Sequence, residues 1–271
     1  MQIYQAIILG IVQGLTEFLP ISSSAHLNLF PWLLGWEKIP DSFDVALHIG
    51  TLLAIIIFFF KDWVNLIVGG YNQVVKKKKT TEGKIFWMLV LSTIPAGILS
   101  LVLSKISENL FEKSLNFEMI VIAITLIVMG VILYIVDKKS KSNIKYEKIN
   151  LKESMLIGMS QGLAAAFPGV SRSGITMTVA RALGIDRESA ARYSFLLATP
   201  ITAAAVIFEF KNFDLGSISF WLGILTSFIV GILIIKFLME YLKKGSFKGF
   251  AVYRIIVGII VIGFAIAKLT M

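Results

Sequence analysis

Residues 3–34, IYQAIILGIVQGLTEFLPISSSAHLNLFPWLL, decide how the chain is to be read. The stretch is long enough to cross a bilayer, which takes about 20 mostly apolar residues. It is broken from Pro20 to Ala25, however, by a proline and three serines, with Glu17 just before the break and His26 just after it. Backbone that leaves the helix at membrane depth is tolerated only where protein or a watery cavity satisfies its polar groups. The break therefore predicts two half-helices that line a site. Residues 154–183, SMLIGMSQGLAAAFPGVSRSGITMTVARAL, repeat the pattern and break from Pro168 to Ser173.

The chain around these two stretches requires lipid as its solvent. Of 271 residues, 56% are hydrophobic and 16% charged, with a mean hydropathy of +0.82. A soluble domain carries about a quarter charged residues, so soluble enzymes and nucleic-acid-binding proteins are excluded. Six further stretches read as full crossings: Phe43 to Phe60, Ile85 to Ser104, Phe117 to Val136, Ser189 to Phe208, Ser219 to Leu238 and Phe250 to Ala267. The expected fold is an all-α integral membrane protein with six transmembrane helices and two re-entrant broken-helix hairpins. No cysteine is present, so disulfide and thiolate chemistry are excluded. The first twelve residues hold no basic n-region and no small-residue cleavage site, so the first segment is expected to be retained.

The net charge of +9 reports orientation, because cytoplasmic loops carry the excess of Lys and Arg. Lys61, Lys76 to Lys79 and Lys84 mark one connection as inside, and Lys138, Lys139, Lys141, Lys145, Lys148 and Lys152 mark the next. Arg181, Arg187 and Arg192 mark a third, and Lys243, Lys244 and Lys248 a fourth. The connections Glu37 to Asp44, Lys105 to Lys113 and Glu209 to Asp214 are poorer in bases and face out. Both sets are satisfied if the first hairpin enters and leaves from outside, the second from the cytoplasm, and both termini are extracellular. A multi-pass membrane protein is expected.

A shift of 148 pairs Gly10 with Gly158, Gln13 with Gln161, Gly14 with Gly162, Pro20 with Pro168 and Ser23 with Ser171. Further on, Phe86-Trp87 match Phe220-Trp221, and Gly97-Ile98-Leu99 match Gly231-Ile232-Leu233. The chain divides into a first repeat (1–136), a cytoplasmic linker (137–152) and a second repeat (153–271). Each repeat is one hairpin plus three crossings, and an odd number of crossings inverts the second copy. Inverted repeats bring broken segments together near the midplane.

The two breaks carry different chemistry. Gln13 and Glu17, four apart, share a helical face, and Ser22, Ser23, Ser24 and His26 follow. In the second repeat, alanines stand at 164 to 166, and Arg172 is expected to take the place of Ser24. An intramembrane Arg is costly, about 2.5–3.5 kcal/mol on insertion scales. Its planar fork matches phosphate oxygens. Residues 168–176 read as a pyrophosphate cradle, with backbone N–H groups near Gly174 at the start of the next half-helix. Glu17 needs a partner at depth, for which Arg172, a divalent cation and His26 are candidates. A carboxylate with phosphate oxygens suits Mg2+ or Ca2+. His26 can transfer protons near neutral pH. His48 has no matching polar neighbourhood and reads as structural.

Gln13-Gly-Leu-Thr-Glu17-Phe-Leu-Pro20 with Ser22, Ser23, Ser24 and His26, and Pro168-Gly-Val-Ser171-Arg172-Ser173-Gly-Ile-Thr176, resemble the two signature motifs of the bacterial undecaprenyl-diphosphate phosphatases of the bacitracin-resistance type. The resemblance extends over essentially the whole chain. In that family's acidic motif Glu or Gln stands first and Glu four later, and Gln13 is the Gln variant. The resemblance implies a membrane hydrolase that removes the terminal phosphate of undecaprenyl diphosphate, recycling the carrier for peptidoglycan precursors. It implies a catalytic set of Glu17, Ser23, His26 and Arg172, and phosphate contacts from Gln13, Ser22, Ser24, Ser171, Ser173, Gly174 and Thr176. Ser23 is the expected nucleophile with His26 or Glu17 as base, while a histidine nucleophile or direct attack by water stays open. A divalent cation, Mg2+ or Ca2+, is expected on Glu17. The expected partners are a polyprenyl diphosphate, membrane lipids and, as an option, a second copy in a homodimer, with no nucleic acid. Inverted repeats with broken helices also build transporters, so a flippase for a polyprenyl phosphate is the alternative.

Overall fold

The computed structural model describes residues 1–111, 115–141 and 144–270. Lys113, counted above with an outward connection, and linker positions 142–143 lie outside the described residues.

Helix α1 (Ile3–Thr16) and helix α2 (Ser23–Leu34) form the first broken pair. They are followed by α3 (Asp41–Phe58), α4 (Phe60–Val75), α5 (Thr81–Phe111) and α6 (Leu115–Lys139). The second broken pair is α7 (Leu151–Ala166) and α8 (Arg172–Ala182), followed by α9 (Arg187–Glu209), α10 (Ile218–Leu242) and α11 (Lys248–Thr270). Among the described residues six helical segments are long and apolar enough to cross a membrane: Asp41–Phe58, Thr81–Ser107, Asn116–Lys139, Arg187–Asn212, Ile218–Leu242 and Lys248–Lys268. These are the six crossings that the hydropathy predicts. The protein is an all-α, multi-pass integral membrane protein.

The four half-helices, of 14, 12, 16 and 11 residues, fall short of a crossing. Each second arm starts on a serine. Ser22 and Ser171 take φ of 76° and 72°, and their hydroxyls accept from the N–H groups of Ala25 (3.3 Å) and Gly174 (3.1 Å). Positive φ is costly for a residue with a side chain, so the cap bond and the surrounding packing must hold both turns. These caps correct the expected register. Ser22, not Ser23, corresponds to Ser171, which makes Arg172 the counterpart of Ser23 rather than of Ser24. The two residues begin their helices at equivalent places.

Close helix contact explains the repeated glycines. A Cβ on Gly10 or Gly14 would come within 2.9 Å of α10 backbone atoms, and one on Gly158 would lie 2.7 Å from the Ser92 carbonyl of α5. Thus α1 packs on a crossing of the second half and α7 on a crossing of the first. Small residues allow such backbone approach in lipid, where packing rather than water drives association.

One connection is more ordered than expected. The basic segment after α3 begins with α4, which exposes Phe60, Val64, Ile67, Val68, Tyr71, Val74 and Val75. Their i, i+4, i+7 spacing makes one apolar stripe along the exposed face of α4.

The Lys and Arg connections meet around buried Asp137. Its Oδ1 accepts from the Nε of Arg181 and of Arg187, both at 2.8 Å, and its Oδ2 accepts from the Phe247 N–H at 3.1 Å. This carboxylate ties α6, α8, α9 and the start of α11 into one body.

Candidate active site

The two hairpin tips meet, and Glu17 is their junction. It ends α1 and is almost fully buried, with 8% of its surface exposed. Its Oε1 accepts from Nη2 of Arg172, 155 residues away. Its Oε2 accepts from the Ser23 hydroxyl at 2.6 Å and, from one turn back, from Gln13 Nε2 at 3.2 Å. His48 of α3 brings Nε2 to 3.6 Å from the same oxygen. A buried carboxylate needs such donors.

The two chain halves supply complementary groups. Arg172 spreads its fork between Glu17 and the Thr202 hydroxyl of α9. Ser173 donates to the carbonyls of Glu17 (3.0 Å) and Leu19 (3.3 Å), pinning the second tip to the first turn. Ser22 and Ser24 hydroxyls lie 3.2 Å apart, as do those of Ser171 and Ser173. A cleft of about 190 Å³ opens over this cluster, lined by Glu17, Ser23, Ser24, His48, Ala164, Ser171, Arg172 and Ser173. A water molecule takes about 30 Å³ of liquid, so the cleft holds a phosphate-sized headgroup and not a polyprenyl chain. A more apolar chamber of about 210 Å³ adjoins it and shares His48, Ala164 and Arg172.

Other predicted residues stand behind the cleft. His26 is buried; its Nδ1 lies 2.7 Å from the Ser22 carbonyl and its Nε2 2.8 Å from the Tyr253 hydroxyl. A carbonyl only accepts, so Nδ1 carries the proton and Nε2 takes the tyrosine's. Both nitrogens are thus occupied away from Ser23. Gly174 spends its N–H on the Ser171 cap, a correction to the expectation that this group faces phosphate. The Thr176 hydroxyl is buried against Ser194 of α9 at 2.5 Å and also reaches the Arg172 carbonyl at 2.9 Å. Gln13 and Ser22 are fully buried and orient their neighbours.

His48 and Thr202 are the residues that the sequence reading missed. Read as structural, His48 in fact lines the cleft, its Nδ1 2.9 Å from the Asp44 carbonyl. A signal was available, since a histidine inside a spanning helix is a functional candidate by default. Thr202 carries no such mark.

Among the described residues no group of three or more His, Cys, Asp or Glu is placed to hold a metal ion. The oxygens present nevertheless suit a hard cation completed by phosphate oxygens. Glu17 supplies a carboxylate, Ser23 and Ser24 hydroxyls, and Gln13 an Oε1 that is buried without a hydrogen-bond partner.

Residues 6–260 match the family described as bacitracin resistance protein BacA. The chain belongs to that family. An undecaprenyl-diphosphatase of Pelotomaculum thermopropionicum is 46% identical over 270 residues, covering 99% of this chain and 98% of the relative. Undecaprenyl-diphosphatases of Caldicellulosiruptor bescii and Desulforudis audaxviator are each 44% identical, with 98 to 99% of both chains covered.

Proposed function

We propose that this BacA-family chain hydrolyses undecaprenyl diphosphate to undecaprenyl phosphate and inorganic phosphate at the Glu17–Ser23–Arg172 cluster. The observation that carries the reading is the 2.6 Å bond from the Ser23 hydroxyl to a carboxylate whose other oxygen holds Arg172. A nucleophile within hydrogen-bond reach of a base that a third group orients is the signature of an activated hydroxyl.

In this mechanism Ser23 Oγ attacks the terminal phosphorus as its proton passes to Glu17 Oε2. The bond from phosphorus to the bridging oxygen breaks, and undecaprenyl phosphate leaves with the proton that Glu17 returns to that oxygen, so Glu17 is ionised again. Water then attacks the phosphoserine, with Glu17 as base, releasing inorganic phosphate and restoring Ser23. Arg172 turns its fork from Glu17 to the phosphoryl oxygens and neutralises charge in the transition state. Ser24 and Ser171 hold the remaining oxygens, while Ser173 keeps the second tip on the first turn. A divalent cation held by Glu17 with the Gln13 amide oxygen would supply further charge neutralisation.

The distribution of Lys and Arg supports placement in the bacterial inner membrane with both termini outside and the cleft open outward. The relatives' names do not favour the transport alternative.

The test is phosphate release from undecaprenyl diphosphate by purified protein supplied with Mg2+ or Ca2+. The wild type is expected to release phosphate, and Arg172→Ala to lose about 10³-fold or more in kcat while remaining folded. Absence of release by the wild type under every metal condition overturns the reading.

A further inference from the structure

One buried cation of the bundle takes no part in the proposed chemistry. Arg254 of α11 is 1% exposed, and among the described residues no carboxylate pairs with it. Its partners among the described residues are all backbone carbonyls. Nη1 donates to Pro20 (3.1 Å) in the first hairpin turn, 234 residues away, and Nη2 donates to Gly169 (2.9 Å) and Val170 (3.1 Å) in the second. Nε reaches the Leu126 carbonyl of α6 at 3.4 Å.

The guanidinium therefore occupies the seam where the two non-helical turns meet. Those turns carry the positive-φ serines and the carbonyls that half-helices leave unsatisfied, which must find donors at this depth. A single planar fork supplies them to both turns at once. Gly174 fits the same arrangement, since a Cβ there would lie 2.9 Å from Nη1 of Arg254. The residue before Arg254, Tyr253, also reaches the first hairpin. The Tyr253 hydroxyl meets His26 Nε2 at 2.8 Å, and the other ring nitrogen of His26 holds the Ser22 carbonyl at the start of α2.

We propose that Tyr253 and Arg254 are positioning residues: a two-residue clamp on α11 that fixes the separation of the two hairpin tips, and so the registry of Ser23 and Glu17 against Arg172. This rests on the phosphatase reading for its consequence, but the clamp itself is a statement about geometry. Lysine cannot replace Arg254, because one ammonium on a flexible stem lacks the fork that spans two turns.

Two measurements on the full-length chain test it. In the first, cysteines replace the exposed residues Leu15 and Phe167 of the otherwise cysteine-free chain, and spin labels on them report the distance between the hairpins in lipid vesicles. One narrow distribution is expected in the parent, and a broadened or shifted one in Arg254→Met and Arg254→Lys. An unchanged distribution overturns the clamp, whatever the activity. The second measures kcat and KM per folded molecule. Arg254→Met is expected to lower kcat about 100-fold with KM within about threefold, and Arg254→Lys not to restore it. A purely structural residue would instead reduce the folded yield at constant kcat, and a kcat within threefold of wild type overturns the proposal. If the Arg254 variants do not fold, Tyr253→Phe decides. A fall in kcat of about fivefold at constant KM supports the clamp, and wild-type kinetics with an unchanged label distance overturn it. Failure of the wild type to release phosphate would refute the phosphatase reading and leave the distance measurement to judge the clamp.

Discussion

The roles of single residues in the cleft separate by what each polar atom has left to offer. Ser23 has one hydroxyl proton and gives it to Glu17, whereas both ring nitrogens of His26 are occupied elsewhere. If Glu17 is the base, Glu17→Gln keeps the shape and an acceptor for Arg172 but cannot take the proton. Its kcat is expected to fall by about 10²–10⁴, the usual range for general-base removal. Steady-state phosphate release on folded protein checks this, and wild-type kcat would return the role to another group. His48 faces the cleft from a third helix, 3.6 Å from Glu17. His48→Ala is expected to lower kcat/KM about tenfold, roughly the loss of one hydrogen bond from its imidazole to a substrate phosphate oxygen. No change would return His48 to the structural role that the sequence suggested.

At the scale of elements, the helices are held together by how closely backbones approach. Gly158→Ala would set a methyl 2.7 Å from both the Cβ and the carbonyl of Ser92, so α7 must shift from α5, at a cost of about 1–3 kcal/mol. Gly97 on α5 meets nothing within 4 Å, and Gly97→Ala is expected to be neutral or to gain up to about 1 kcal/mol of helix propensity. Thermal unfolding in one detergent should therefore come earlier for Gly158→Ala and be unchanged or later for Gly97→Ala. Equal shifts would mean that the repeated glycines do not set the packing. The six crossings were legible because each is a local run of apolar residues. So were Glu17, Ser23 and Arg172, because a costly polar group beside a proline break is a local signal too. The hairpin register was not, since the second break takes three positions from proline to capping serine (Pro168 to Ser171) where the first takes two (Pro20 to Ser22), one more than a constant offset allows. Nor was Arg254, whose partners are carbonyls up to 234 residues away and leave no trace in its own neighbourhood.

At the scale of the whole molecule, sidedness decides whether the cleft meets substrate from outside. The bases cluster on alternate connections, and Asp137 draws Arg181 and Arg187 together beside Phe247, where several of those connections converge. The rule that cytoplasmic loops retain Lys and Arg is a rule of insertion, so it predicts labelling in intact cells directly. The chain contains no cysteine, which allows one to be placed at will. Glu37→Cys and Asn212→Cys lie on exposed connections poor in bases and are expected to react with a membrane-impermeant maleimide added outside. Lys78→Cys and Lys244→Cys, exposed within the basic connections, are expected to react only after permeabilisation. The reverse pattern would turn the cleft to the cytoplasm, and the hydrolase would then act on diphosphate presented from within. Labelling of all four from one side would break the alternation on which the opposed entry of the two hairpins depends.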